Sequence, residues 1–322
     1  MLPSSSPEPV AWLRGHRSTV SCLAFLEEEE GDGLVSGDCG GDLILWSLRT
    51  KRIVKLLAGE HEGGVLQVLS SAAMWFSQGR MDGNLKQWSP QGELTNVFRL
   101  QTESFCKAVI VDGDEGGFKL VCTKATDASV VVMWDSAKSM RQPSLEYCTE
   151  DKSGMVMCVA LEAAMLLAGY EDGHLRGFNV ETAECLFVLC VQPDYNPCTS
   201  FVYCPGTNKG LAAGASGEMT LFQLVPAKVV KHVPVLANKQ TSGEEDKLGK
   251  GVGQLCLRPD TKILAAACWD HRLRIFHWQT LKPLAVLKNH RDSVQCLAFS
   301  NNSQLLASGS KDRNIAIWRI YS

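Results

Sequence analysis

The residue types that could do covalent chemistry gather in the last stretch of the chain, KNHRDSVQCLAFSNNSQLLASGSKDRNIAIW (288–318). His290, Ser308 and Asp312 are the makings of a nucleophilic triad. The hydroxyl attacks, the imidazole takes its proton, and the carboxylate orients the imidazole. Two observations turn the reading elsewhere. Trp318 adds an indole N–H for which a triad has no use, and His61, Asp82 and Trp88 repeat much of the arrangement earlier in the chain. A catalytic site needs one exposed copy beside an oxyanion-binding group. A recurring set fits architecture instead. The turn carboxylate accepts from the imidazole, which in turn bonds a strand hydroxyl and the indole N–H, so that each buried polar group is satisfied.

No other group offers a better site. His271 follows a turn aspartate, His232 and His277 sit in or near strands, and His174 sits in a turn; none has a second His or Cys at metal-ligand spacing. GASGEMT and GKGVG are glycine-containing turns, and neither GxSxG nor a phosphate-binding loop is present. Neither cofactor nor metal is expected, and no enzyme. The thirteen cysteines include no CxxC, and Cys22, Cys158, Cys256 and Cys296 read as one equivalent core position in four different repeats. Unpaired thiols in that number predict a reducing compartment, cytoplasmic and nuclear.

The elements that must position these residues recur. Measured from the aromatic, the unit appears at Trp46, Trp88, Trp134, Phe178, Phe222, Phe276 and Trp318, at intervals of 42, 46, 44, 44, 54 and 42 residues. An Asp six residues before the aromatic stands at Asp82, Asp172, Asp270 and Asp312, and a Gly nine before it at Gly37, Gly79, Gly169 and Gly309. His16, His61 and His290 open repeats one, two and seven. VQCLAF, LLASGS and IAIW read as strands separated by turns, and so small an antiparallel unit must stack on copies of itself. The period is that of a WD-type blade of four strands. The expectation is an all-β, seven-bladed WD40 propeller.

Several repeats depart from the pattern. In repeat one Gly40 stands where the turn Asp belongs; in repeat three Asp127 is one residue off phase, and repeat five has Ser216 instead. The strand at 10–13 belongs to no complete repeat, and the last repeat ends just after its third strand, so the N-terminal strand is expected to close the ring. Residues 1–9 read as a disordered tail, 10–322 as the propeller, and the polar run 238–250 as an insertion between blades five and six. The acidic loop 26–33 reads as solvated.

The net charge of −3 forms no basic stripe, so neither nucleic acid nor an anionic membrane is expected as a partner. What remains is surface. Arg80, Met81, Tyr170, Glu171, Trp269 and Lys311 flank the in-phase aspartates and are expected at the channel rim on one face, where exposed Trp, Tyr and Arg anchor protein contacts. Trp269 is the sharpest of these, because a large aromatic has little structural reason to sit in a turn.

GYEDG (169–173), LRPDTKILAAACWDHRLRIFHWQTLKPLAVL (257–287) and QCLAFSNNSQLLASGSKDRNIAIW (295–318) together resemble the family of guanine nucleotide-binding protein β-subunit-like protein 1, which includes the fungal ASTRA-associated WD-repeat protein. The resemblance implies a non-catalytic adaptor of the telomere-maintenance co-chaperone complex, acting in maturation of phosphatidylinositol-3-kinase-related kinases. Its partners would be helical-repeat co-chaperone subunits and large kinases, joined by a protein that is monomeric beforehand. Only nine Pro/Ser-rich residues precede the first strand, so no G-protein γ subunit is expected. The rival expectations are a peptide or modified-tail reader at the channel mouth and, more remotely, a propeller hydrolase.

Overall fold

The structure, a computed structural model, describes residues 7–26, 33–71, 74–102, 104–113, 117–138, 142–149, 153–162, 164–235 and 251–320. The 238–250 insertion, most of the acidic loop and residues 1–6 of the tail lie outside these.

Within each repeat, short runs of β-branched and aromatic residues are interrupted by turn residues, a pattern that favours hairpins over longer elements. The described residues form seven four-stranded antiparallel sheets. Blade one runs Val20–Phe25, Gly33–Asp38, Leu43–Ser47 and Arg52–Leu57, from the inside outward. Burial follows that order: Gly33–Asp38 is buried throughout, while Arg52–Leu57 is largely exposed. In blade seven, Val294–Phe299, Leu305–Ser310 and Asn314–Arg319 supply three strands, and Ala11–Arg14 supplies the outermost. That N-terminal strand pairs from Ala11 with Ile317 through Arg14 with Asn314. The chain's two ends thereby finish one sheet. The inner strands lie each against the next, and that of blade seven lies against that of blade one, so the fold is a closed seven-bladed propeller.

The core is distributed between blades. The seven clusters of buried apolar residues each draw on two neighbouring blades; one joins Trp75 and Trp88 to Val35 and Leu43, and another joins Leu13 and Ile315 to Val20 and Trp46. Each blade thus buries its faces only because it has two neighbours, which makes the ring the unit of stability. Contact is close enough to require glycine. A Cβ on Gly37 would stand 2.6 Å from Val65 in blade two, and one on Gly309 would stand 2.6 Å from Val20 in blade one. Hydrogen bonds cross the same seams. The amide of Ala108 donates to Gln78 at 2.9 Å, that of Leu297 to Gln254 at 3.0 Å, and the hydroxyl of Thr199 to the carbonyl of Val252 at 2.7 Å.

One expected equivalence is corrected by the register. Cys22, Cys158 and Cys296 pair with Gly37, Gly169 and Gly309, but the matching position in blade six is Gln254, opposite Ala267; Cys256 lies two residues further on, opposite Ala265. A bulge in each of these four inner strands sets this phase, and alternation of apolar residues alone does not reveal it. All thirteen cysteines are free thiols. Burial pushes the Cys22 thiol up to about 12, which leaves it unreactive.

Candidate functional site

In blade seven, His290 Nδ1 lies 2.9 Å from Asp312 Oδ2, His290 Nε2 lies 2.9 Å from Ser308 Oγ, and the indole N–H of Trp318 donates to the same Oγ at 2.9 Å. Because the carboxylate needs a donor, Nδ1 carries the proton. Nε2 is then the acceptor for the serine hydroxyl. In blade two, His61, Asp82, Ser77 and Trp88 make the same four-residue chain, with contacts of 2.7–2.8 Å. Ser308 and Ser77 are fully buried, so neither hydroxyl can meet a substrate. The set clamps a loop to two strands of its own blade.

Blade one makes the set as well, by a route its sequence spacing hides. His16 Nδ1 lies 2.9 Å from Asp38, Nε2 lies 2.6 Å from Ser36, and Trp46 donates to Ser36 at 2.7 Å. Asp38 sits at the end of the second strand, not in the turn, and its Oδ1 accepts the amides of Gly40 and Asp42. The turn glycine is therefore no loss, because the carboxylate reaches the imidazole from two residues earlier.

Blades four and six solve the same problem with an arginine. Asp172 accepts from Arg176 at 3.2 and 2.8 Å, and Asp270 accepts from Arg274 at 2.8 and 2.6 Å. Arg176 and Arg274 pair with Ala168 and Ala266, which occupy the place of the serine, and Phe178 and Phe276 replace the tryptophan. Without a hydroxyl an indole N–H there would have no partner, so phenylalanine follows. Asp127 in blade three instead binds the amide and hydroxyl of its own Ser129, and Ser216 in blade five donates to Gln192.

The residues flanking these aspartates divide. Met81, Glu171 and Lys311 are exposed, as expected of a rim. Tyr170 is not a rim residue: it is wholly buried, with the Arg176 guanidinium 4.5 Å from its ring centre. It ends the second strand, the position held by Asp38 in blade one and Ser310 in blade seven, and side chains there turn inward. Trp269 is half-buried over the start of its own blade's inner strand. A Cβ on Gly251 would stand 2.4 Å from its ring, so this aromatic has the structural use that its place in a turn did not suggest.

The structure adds a residue that sequence spacing missed. Phe105, in the loop leading to the inner strand of blade three, is half exposed (51%), and Arg80 lies over its ring at 4.9 Å. Met81, 65% exposed, rests on Gly63. Arginine, phenylalanine and methionine side by side on a surface make an apolar anchor with a cationic edge.

Comparison with known proteins fits this geometry. The WD40 family model (WD domain, G-beta repeat) matches residues 7–47, 245–277 and 281–319. A Mus musculus protein named guanine nucleotide-binding protein subunit beta-like protein 1 is 33% identical over 331 residues, spanning 98% of this chain and 97% of its own. The chain belongs to that family. Fungal proteins are similar to this chain as well. Proteins named ASTRA-associated protein 1 from Schizosaccharomyces japonicus and Schizosaccharomyces pombe are 29% and 26% identical, each over 98% of this chain and 99% of their own length. The matched WD40 segments are those that carry the His-Ser-Asp-Trp sets of blades one and seven, and the arginine-paired set of blade six.

Proposed function

We propose that this member of the guanine nucleotide-binding protein subunit beta-like protein 1 family is a non-catalytic adaptor of a telomere-maintenance co-chaperone assembly. In that role it supports maturation of phosphatidylinositol-3-kinase-related kinases in the cytoplasm and nucleus. The observation that carries the reading is the end-to-end likeness to proteins named ASTRA-associated protein 1. The physical support comes from the polar sets. Their nucleophile-like hydroxyls are sealed inside the blades, and the Arg80–Phe105–Met81 cluster is left exposed on a rigid ring. A closed propeller binds with little loss of its own conformational freedom, which suits a part that holds others in place.

Affinity capture of the tagged chain with mass spectrometry tests the proposal. The expected result is enrichment of large helical-repeat subunits and kinases, lost when Met81→Glu and Phe105→Glu are combined. Capture of neither class, or their full retention by the double variant, would overturn it.

A further inference from the structure

Closing the ring brings together three segments that are far apart in the chain. Arg14 ends the closing strand, Arg291 precedes the inner strand of blade seven, and residues 311–313, with Asn314 at the start of the next strand, form that blade's turn. They line an open recess of about 540 Å³ on the face that carries the turn aspartates. Arg14, Arg291, Lys311 and Arg313 are all exposed, and none of the four side chains has a hydrogen bond or ion pair among the described residues. Two carboxylates, Asp292 and Asp312, line the recess with them. Asp312 takes His290 Nδ1 and the amides of Arg291 and Asn314, each at 2.9 Å, and Asp292 takes the amide of Ser293 at 2.7 Å. Four cations thus face two anions, and a chain of net charge −3 carries a net positive charge in this one concavity.

Arg313 supplies an independent observation. Its φ of 68° is in the left-handed region, which disfavours a side chain. The same turn position is held by Gly83 in blade two and Gly173 in blade four, at φ of 59° and 82°, and by His271 in blade six at 67°. The fold alone is better served by glycine there. The arginine brings its guanidinium to the lining of the recess.

The geometry points to a docking site for an acidic peptide segment of another protein, anchored by a phosphorylated serine or threonine held among Arg14, Arg291, Lys311 and Arg313. Guanidinium groups fork around phosphate oxygens in bidentate fashion, and a dianion answers more of the charge than one carboxylate does. A nucleic acid or a membrane calls for an extended row or plane of cations, whereas a recess suits a single anionic group. The inference rests on the reading of the molecule as a protein-binding platform and names the chemistry of one partner segment.

Fluorescence anisotropy on the full chain tests it, with a labelled short Asp/Glu/Gly peptide bearing one central phosphoserine. The expected result is binding that weakens with added salt, about tenfold tighter than for the unphosphorylated peptide. Arg291→Glu and Lys311→Glu should each weaken it by about tenfold or more. Arg313→Gly should weaken binding while leaving the melting temperature unchanged or higher, which separates recognition from folding. Lys228→Glu, on the outer strand of blade five, should change nothing. Equal affinity for the two peptides, full affinity in Arg313→Gly, or tighter binding of phosphatidylserine vesicles or a single-stranded oligonucleotide would overturn the inference. Co-purification of protein partners is scored separately, so this site and the adaptor reading can fail independently.

Discussion

In blade six the guanidinium of Arg274 closes on the carboxylate of Asp270 through hydrogen bonds of 2.8 and 2.6 Å, in the space that blade seven gives to His290 and Ser308. Both arrangements answer a carboxylate at the same turn, and they differ in what remains if that carboxylate is removed. Asp312→Ala leaves a neutral imidazole without its acceptor, at a cost of about 1–3 kcal/mol. Asp270→Ala leaves a permanent cation whose side chain is only 7% exposed, at a cost of about 3–5 kcal/mol. Urea unfolding of the two variants should rank them in that order. An unchanged midpoint for Asp312→Ala, or a larger loss there than at Asp270, would contradict the assignment.

Acid should act through the three His-Asp pairs. Burial, the largest single influence, would raise the carboxyls of Asp38, Asp82 and Asp312, but the hydrogen bonds from His16, His61 and His290, together with backbone amides and the charge interaction with each imidazole, outweigh it and hold each below its ordinary value. The unfolded chain therefore binds these protons more tightly than the native one. Above the ordinary carboxyl pKa of about 4 both states are ionised and the stabilisation is complete. Below that the unfolded chain is protonated first, and stability falls until the native carboxyls titrate as well. Urea midpoints measured from pH 7 down to about 3 should hold level in this respect and then drop below about pH 4. Asp312→Asn should make the drop shallower; an acid limb as steep as that of the parent would count against the pair.

Tyr170 gives a prediction of opposite sign. Its hydroxyl is buried and has no hydrogen-bond partner among the described residues, while its ring already packs under Arg176. Tyr170→Phe keeps the ring and removes the orphaned group, so it should stabilise the protein by about 1 kcal/mol. A lowered melting temperature would show that the hydroxyl is satisfied.

Ring closure can be tested by removing residues 7–14. The strand Asn314–Arg319, buried over most of its length, would lose its outer partner and present a free edge. Loss of cooperative unfolding together with concentration-dependent association is expected, read by calorimetry and light scattering. A monomer that melts as the parent does would mean that the closing strand is dispensable.

The blade count was legible because one aromatic per repeat holds the same register, buried in every repeat but the third, where Trp134 is partly buried, so the spacing survives even where tryptophan gives way to Phe178 or Phe222. The polar sets were legible where the aspartate lies in the turn, as at Asp82 and Asp312. Asp38 escaped because its carboxylate arrives from the strand end, and Arg176 and Arg274 escaped because the compensating cation enters from the third strand, where nothing in the His-to-Trp spacing marks it. Tyr170 was misplaced for a related reason: adjacency to a turn aspartate does not say which of two neighbours points inward. Phe105 and the cluster of Arg14, Arg291 and Arg313 were illegible, since only the folded ring brings their segments to one face.

The most direct test of the adaptor account is hydrogen–deuterium exchange on the chain alone and within its captured assembly. Added protection is predicted in the loops at 62–64, 80–83 and 102–108, with outer strands such as Ala227–Pro234 unchanged. Protection confined to the outer strands, or none anywhere, would contradict it.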